Sequence, residues 1–215
     1  MDTPFCISLY PPTHRVSQYG QDFLVHLLMN GRSGFYVDVG AKDGKSISNT
    51  FMLEQHGWRG ICIEPHPESF AALTAQRKSI NLNLAVSDKP GHLDFVQVLS
   101  GPTGNSGLLS TYAHRGKLET LDHSIIRVKS ETLADILTKC NAPSHIDYLD
   151  IDTEGHELQV ILSIDFSSVT FGIIGLEAKR ESHSFVEISK LLASHGYRHF
   201  GTCGSDQMFT SVIPL

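Results

Sequence analysis

Apolar residues recur along this chain in two alternating rhythms. In residues 18–30, Phe23, Leu24, Leu27 and Leu28 share one helical face, and Gly31 follows as a stop. GFYVDVG (34–40) is a short continuous apolar run, the pattern of a strand. A short helix is predicted over 48–56 and a second strand at GICIE (60–64). Pro67 stands where a first helical turn accepts proline, and Phe70 and Leu73 give that helix its apolar side to about Lys78. INLNLAV (80–86) reads as a third strand. Strands joined by helices of this length run parallel, with right-handed crossovers.

Residues 87–130 break the rhythm. GHLDFVQV and SIIRV read as strands, and the GPTGNSGLLSTYAHRGK between them has no period. Such a long stretch is either a surface insertion or a lid or binding loop. The alternation then resumes. Leu133, Ile136, Leu137 and Cys140 follow i, i+3, i+4, i+7 in a helix over 131–140. IDYLDID (146–152) is a strand, Leu158, Ile161 and Leu162 mark a helix, and FGIIGLE (171–177) is apolar enough for a strand buried on both faces. Ser182 is placed to cap a helix carrying Phe185, Ile188, Leu191 and Leu192, closed by Gly196. The end of the chain predicts a strand pair around Gly204 and Ser205.

The pattern is that of one α/β domain over residues 17–215. A lead-in, 1–16, is made extended by Pro11 and Pro12, and a β-rich and loop segment is inserted at about 88–130. A length of 215 residues suffices for one sizeable core. A net charge of −6, with no long Lys/Arg run, argues against a nucleic-acid partner. Cys6, Cys62, Cys140 and Cys203 form no CxxC pair or metal-finger spacing and read as reduced thiols. No apolar run approaches the roughly 18 residues of a membrane span, and MDTPFCISLYPP lacks the basic and apolar regions of a secretory signal. A cytoplasmic location is therefore expected.

In an open parallel sheet, ligands bind beyond the carboxyl ends of the strands, where strand order reverses. Four predicted strands each deliver a carboxylate there: Asp38, Glu64, the pair Asp150 and Asp152, and Glu177. The loop after Asp38 reads DxGxxxG, with Gly40, Gly44 and a further acid, Asp43. A dinucleotide site uses GxGxxG, because pyrophosphate sits over a glycine turn and a helix N-terminus. Acids in that loop repel phosphate and suit a ligand carrying positive charge. Glu64 is placed to accept both hydroxyls of a ribose. Adenosine with a cationic, phosphate-free tail describes S-adenosylmethionine. A nicotinamide site, or acids that only cap helices, are the competing readings.

Five segments resemble the FkbM-type methyltransferases: SQYGQDFLV (17–25), GFYVDVGAKDGKSISNT (34–50), GWRGICIEPHPESF (57–70), AVSD (85–88) and IDYLDIDTEGHELQVI (146–161). They occur in the family's order. The resemblance implies a class I, Rossmann-like fold: a mostly parallel seven-stranded sheet, helices on both faces and an antiparallel C-terminal strand. It implies S-adenosylmethionine as methyl donor and O-methylation of a hydroxyl on a sugar, natural product or other small molecule. By position Asp38 and Gly40, with Ala41 and Asp43, hold the methionine end. Glu64 and Pro65 hold the ribose, Ala85 meets the adenine edge, and Gln18, Gln21, Asn49 and Asp152 flank the donor. Asp150 departs from the family, where Ser or Lys is expected. It is free to bind a metal, attract a cation or pair with a lysine.

An alcohol is a weak nucleophile and gains from a positioned base. Asp152, Glu154 and His156 are the catalytic candidates, with Glu177 beside them. Each has a plainer reading. Asp152 caps the following helix, Glu154 favours its positive end, and His156 faces solvent. His66 reads as a surface turn, and Tyr112 and His114 are candidates for substrate contact. No ligand spacing dictates a metal, although Asp150, Asp152, His156 and Glu177 are groups able to converge on a divalent ion. A non-catalytic donor-binding or scaffold protein of this fold and an NAD(P)-dependent oxidoreductase are the alternative functions. A phosphatase reading of LDIDT fails on its flanking residues. The partner is a small molecule, and an oligomer is compatible with the sequence.

Overall fold

The structure is a computed structural model and describes residues 5–6, 16–100, 106–112, 118–180 and 182–211. Helix α1 (Gln21–Leu28) leads into β2 (Phe35–Val39), α2 (Phe51–Gln55), β3 (Arg59–Ile63), α3 (Pro67–Gln76) and β4 (Ile80–Leu82). After an inserted segment come α5 (Leu133–Lys139), β9 (His145–Ile151), α6 (Glu157–Leu162), β10 (Thr170–Glu177), α7 (His183–Ser194), β11 (Arg198–Cys203) and β12 (Asp206–Thr210). Strand β1 (Phe5–Cys6), from the lead-in, pairs with the edge of β11. The sheet order is β1-β11-β12-β10-β9-β2-β3-β4. Beside the two-residue β1, this is the expected seven-stranded sheet. Strand β12 alone among these runs antiparallel to its neighbours.

Alternation along the strands assigns the two faces. Val37, Val39, Ile61, Ile63, Leu149 and Ile151 point to one side and pack on α5, α6 and α7. Tyr36, Cys62, Tyr148, Ile173 and Met208 point to the other, with Leu24 and Val25 of α1, Leu53 of α2 and Leu73 of α3. Because the period is two, Asp38, Glu64 and Asp150 continue the second face at the strand ends. Local signals place the helices. Ser182 Oγ accepts the Phe185 N–H at 3.2 Å at the start of α7, and Pro67 opens α3.

The expected third strand is two. β4 ends at Leu82, and Ala85–Val86 form β5 in a separate sheet of order β5-β8-β6-β7. Asn83 accounts for the break, since its amide donates to the carbonyls of Glu64 (2.8 Å) and Pro65 (3.2 Å) instead of continuing a ladder. Strands β6 (Gly91–Val98) and β8 (His123–Glu131) are antiparallel, and the short β7 (Gly107–Leu108) leads into α4 (Leu109–Tyr112). Ala85, Phe95, Leu108 and Val128 give this second sheet its own core.

Candidate active site

Strand order reverses between β2 and β9, and the chain leaving β2 crosses close over the end of β9. The N–H groups of Gly40 and Ala41 both donate to Ile63 O (2.9 and 3.1 Å), while the Asp152 N–H donates to Val39 O at 2.9 Å. Gly40 has φ 96°, and a Cβ built on it would fall on the Asp152 carbonyl oxygen. Only glycine fits a crossing that close.

Asp38 is buried at the end of β2, and its Oδ2 accepts the Thr50 hydroxyl at 2.5 Å. The same hydroxyl accepts from Arg77 at 2.9 Å. Arg77 is itself buried and also donates to Glu54, Gly44 O, Ser48 Oγ and the Tyr36 hydroxyl. Burial pushes the Asp38 carboxyl up, while the Arg77 charge and the Thr50 hydrogen bond pull it back. Sequence reasoning missed Arg77. A lone arginine ending a helix reads as a solvated C-terminal cation.

Glu64 is buried, with Oε2 accepting the Lys42 N–H (2.9 Å) and Oε1 the His66 N–H (2.7 Å). Each oxygen keeps a further lone pair for a ligand hydroxyl. Burial raises its pKa to about 7. Glu64 and Pro65 line a cleft at the carboxyl ends of the strands. Gly40, Ala85 and Asp152 line it as well, and Phe95, Gly107 and Leu108 of the second sheet form its opposite wall. Ala41 packs into the core, and Asp43 turns its carboxylate to the Lys45 and Ser46 N–H groups (2.9 and 2.7 Å), tightening its own loop. Gln18 is exposed just before α1.

A second buried cluster gathers Gln21, Asn49, Asp150 and Asp206. Asn49 Nδ2 donates to both Asp150 oxygens (3.2 and 3.1 Å) and more weakly to Asp206 (3.4 Å), and Gln21 Nε2 donates to Asp206 at 2.7 Å. The Tyr148 hydroxyl donates to Asp150 at 2.7 Å. Among the described residues, then, Asp150 pairs with a phenol and an amide rather than with a lysine. Burial, then the nearby charges of Asp38 and Asp206, push it well above the carboxylate range. Burial also carries Asp206 up to about 6. Asp206 was missed too, since an acid after Gly204-Ser205 reads as a turn residue.

The catalytic candidates stand at the end of β9. Asp152, Glu154 and His156 all line the cleft. Asp152 does not cap α6. The carboxylate of Glu157 ties that turn instead, accepting from Thr153 N–H (3.2 Å), Thr153 Oγ1 (3.0 Å) and Gly155 N–H (2.8 Å). Glu154 sits at φ 57°, a strained conformation of the kind found at functional turns. His156 is not solvent-facing: it is 7% exposed, and its Nε2 lies 3.0 Å from Ser87 Oγ. Nor is His66 a surface residue. At 2% exposure it caps α3, with Nδ1 accepting the Ser69 N–H at 3.2 Å. Tyr112 is buried in α4, and His114 lies outside the described residues.

The four groups considered for a metal are not brought together. Asp150 is sealed in its own cluster, and His156 Nε2 is held by Ser87. Carboxylate oxygens of Asp152, Glu154 and Glu177 do converge within 4.8 Å. Burial and the charges of Asp152 and Glu154 raise Glu177 to about 7. Cys62 and Cys203 are buried free thiols, and burial pushes Cys62 up to about 12. Among the described residues no helix is long and apolar enough to cross a membrane.

A model of the methyltransferase FkbM domain matches residues 38–199, from the end of β2 into β11. No curated protein sequence matches significantly. Among solved structures the chain is similar to precorrin-6y C5,15-methyltransferase of Geobacter metallireducens, at 11% identity and TM-score 0.48, covering 94% of this chain and 92% of that one. It is similar to a TehB-like SAM-dependent methyltransferase of Corynebacterium glutamicum, at 12% identity and TM-score 0.46, covering 90% and 88%. It is also similar to magnesium protoporphyrin IX methyltransferase of Synechocystis with bound SAM, at 12% identity and TM-score 0.44, covering 88% and 76%. Identities this low carry nothing about substrate.

Proposed function

The chain belongs to the FkbM-domain family of S-adenosylmethionine-dependent methyltransferases, and on that premise we propose that it methylates a hydroxyl oxygen of a small-molecule, sugar or natural-product acceptor. The observation that carries the donor half is the crossing itself. Gly40, Glu64 and Asp152 meet at one end of a cleft, and Glu64, Asp152 and Glu154 line it with acids where a phosphate cradle would need bare N–H groups. Bound there, the donor supplies a methyl group already activated on a sulfonium. The chain's task is then chiefly alignment. Glu64 holds the ribose through its remaining lone pairs, Asp38 and the Gly40 loop hold the methionine end, and Ala85 abuts the adenine. Gln21 and Asn49 stiffen the acidic floor from α1 and the loop before α2. Asp152, Glu154 and His156 favour oxygen as the nucleophile, because an alcohol must lose a proton that a base on this wall can take.

Two measurements test the reading. Mass spectrometry of the denatured protein, after incubation with S-adenosylmethionine, is expected to recover the donor or its demethylated product. Isotopically labelled donor, offered with fractionated small-molecule extracts, is expected to place label in methyl ethers. Binding of NADH with no binding of S-adenosylmethionine would sink the donor assignment, and label found only on nitrogen or carbon would sink O-methylation.

A further inference from the structure

His156 is anchored from the main sheet. It stands at the entry to α6, and its carbonyl accepts the Val160 N–H at 3.2 Å. Ser87 is anchored from the second sheet. It is 3% exposed, and its N–H donates to Glu131 O at 3.0 Å, extending the β5–β8 pairing. The two side chains meet across the gap between the sheets, at 3.0 Å. Ser87 Oγ donates onward to Asp88 Oδ1 at 3.2 Å. A hydroxyl has one proton. With that proton directed to Asp88, the oxygen faces His156 as an acceptor, an arrangement that needs the imidazole proton on Nε2. The imidazole's lone pair is then on Nδ1. That nitrogen has no hydrogen-bond partner among the described residues, is not sealed from solvent, and belongs to a ring lining the cleft.

Resting on the methyl-transfer reading, we propose that Ser87 and Asp88 are positioning residues which fix the His156 proton on Nε2 and turn Nδ1 into the base for the acceptor hydroxyl. The proton balance closes. As the acceptor oxygen's lone pair forms the O–CH3 bond, its proton passes to Nδ1, and the C–S pair stays on sulfur as a neutral thioether. The imidazolium so formed donates through Nε2 to Ser87 and is stabilised by the Asp88 carboxylate behind it. Ground-state neutrality has its own cause. Burial lowers the basicity of His156, and Asp88 opposes this only in part. Asp152, Glu154 and Glu157 flank the ring on its own segment, and Asp88 is the acid presented from the second sheet.

The test is long-range proton–nitrogen correlation NMR of the full-length nitrogen-15-labelled protein at pH 7.5, with and without S-adenosylhomocysteine. The His156 signals are assigned by their loss in His156→Gln. A single neutral tautomer protonated on Nε2 is expected, with the Nδ1 resonance shifting on adding S-adenosylhomocysteine. Ser87→Ala is expected to mix the tautomers, and Ser87→Thr, which restores a hydroxyl, to return to one. A proton on Nδ1, an imidazolium at pH 7.5, or a wild-type Nδ1 that ignores a ligand shown by calorimetry to bind would overturn the proposal. If Ser87→Ala does not fold, the wild-type tautomer still decides. Failure of the wild type to bind S-adenosylhomocysteine would instead sink the methyl-transfer reading itself.

Discussion

The Thr50 hydroxyl lies 2.5 Å from Asp38 Oδ2 and 2.9 Å from an Arg77 nitrogen, so one oxygen joins the buried guanidinium to the carboxylate at the end of β2. The bridge explains how an acid is held in a dry strand end without a direct ion pair. Thr50→Val keeps the shape and deletes the bridge, and is expected to lose about 1.5–3 kcal/mol of stability, the range for a hydrogen bond to a charged group. Arg77→Met takes the charge from Glu54 as well, leaving it only the Tyr36 hydroxyl and the Lys78 N–H, so the loss should reach about 3–5 kcal/mol. Urea unfolding of both variants measures this. Losses below about 0.5 kcal/mol in both would show the bridge to be idle.

Glu64 gives the site a pH dependence. Burial moves its folded value from 4.5 to about 7. Folding of the unliganded protein therefore favours the protonated acid, and that contribution is whole below about pH 4.5 and lost as pH rises through about 7. Donor binding has the opposite sign, because the ionised carboxylate is the better acceptor for ribose hydroxyls. Affinity for S-adenosylhomocysteine is expected to rise up to about tenfold as pH increases through this value. Glu177, near 7, and Asp206, near 6, titrate in the same window, so the wild-type profile alone does not isolate Glu64. Glu64→Gln does. It should flatten the profile and weaken binding about ten- to a hundredfold at high pH. Calorimetry that finds the same pH slope in the variant would move the ribose elsewhere.

Much of this architecture could be read from local chemistry. Ser182 and Pro67 mark helix starts by satisfying or lacking an N–H, and the apolar run at 171–177 belongs to a strand covered on both faces. The acids at the strand ends are legible because a carboxylate that ends an apolar run has few other reasons to be there. What escapes the sequence depends on partners far along the chain. His156 meets Ser87 from 69 positions away, and nothing near residue 156 announces that partner. Arg77 and Asp206 become site residues through contacts 27 and 185 positions away, with Thr50 and Gln21. The split of 80–86 turns on one side chain, Asn83, that bonds to the neighbouring strand's end.

Gly40 can be separated from an ordinary left-handed glycine by comparison with Gly196. Both have positive φ, 96° and 86°, but a Cβ on Gly196 meets nothing within 4 Å, whereas one on Gly40 meets the Asp152 carbonyl. Gly196→Ala should lose only the backbone term, roughly 1–2 kcal/mol. Gly40→Ala adds a steric collision between β2 and β9 and should lose on the order of 3 kcal/mol or more, together with donor binding. Denaturant midpoints and calorimetry distinguish the two. Equal losses with intact binding would mean that the crossing opens freely.

The surroundings of Asp150 favour a neutral side chain. It faces Asp38 across the β2–β9 pairing and has Asp206 nearby, and burial with those two charges drives its pKa upward. The Asn49 carbonyl oxygen has no partner while its amide nitrogen points at Asp150. Rotating that amide by half a turn would present an acceptor to a carboxyl proton. Asp150→Asn copies the protonated form, keeping an oxygen for the Tyr148 hydroxyl. Because the folded value lies above the unfolded one, wild type is favoured at low pH and loses that contribution as pH rises, whereas asparagine does not titrate. The variant should therefore lie within about 0.5 kcal/mol of wild type near neutrality and gain on it as pH rises. Urea unfolding across this range decides the matter. A variant less stable by about 3 kcal/mol at every pH would mean that Asp150 is a carboxylate held ionised by Tyr148 and Asn49.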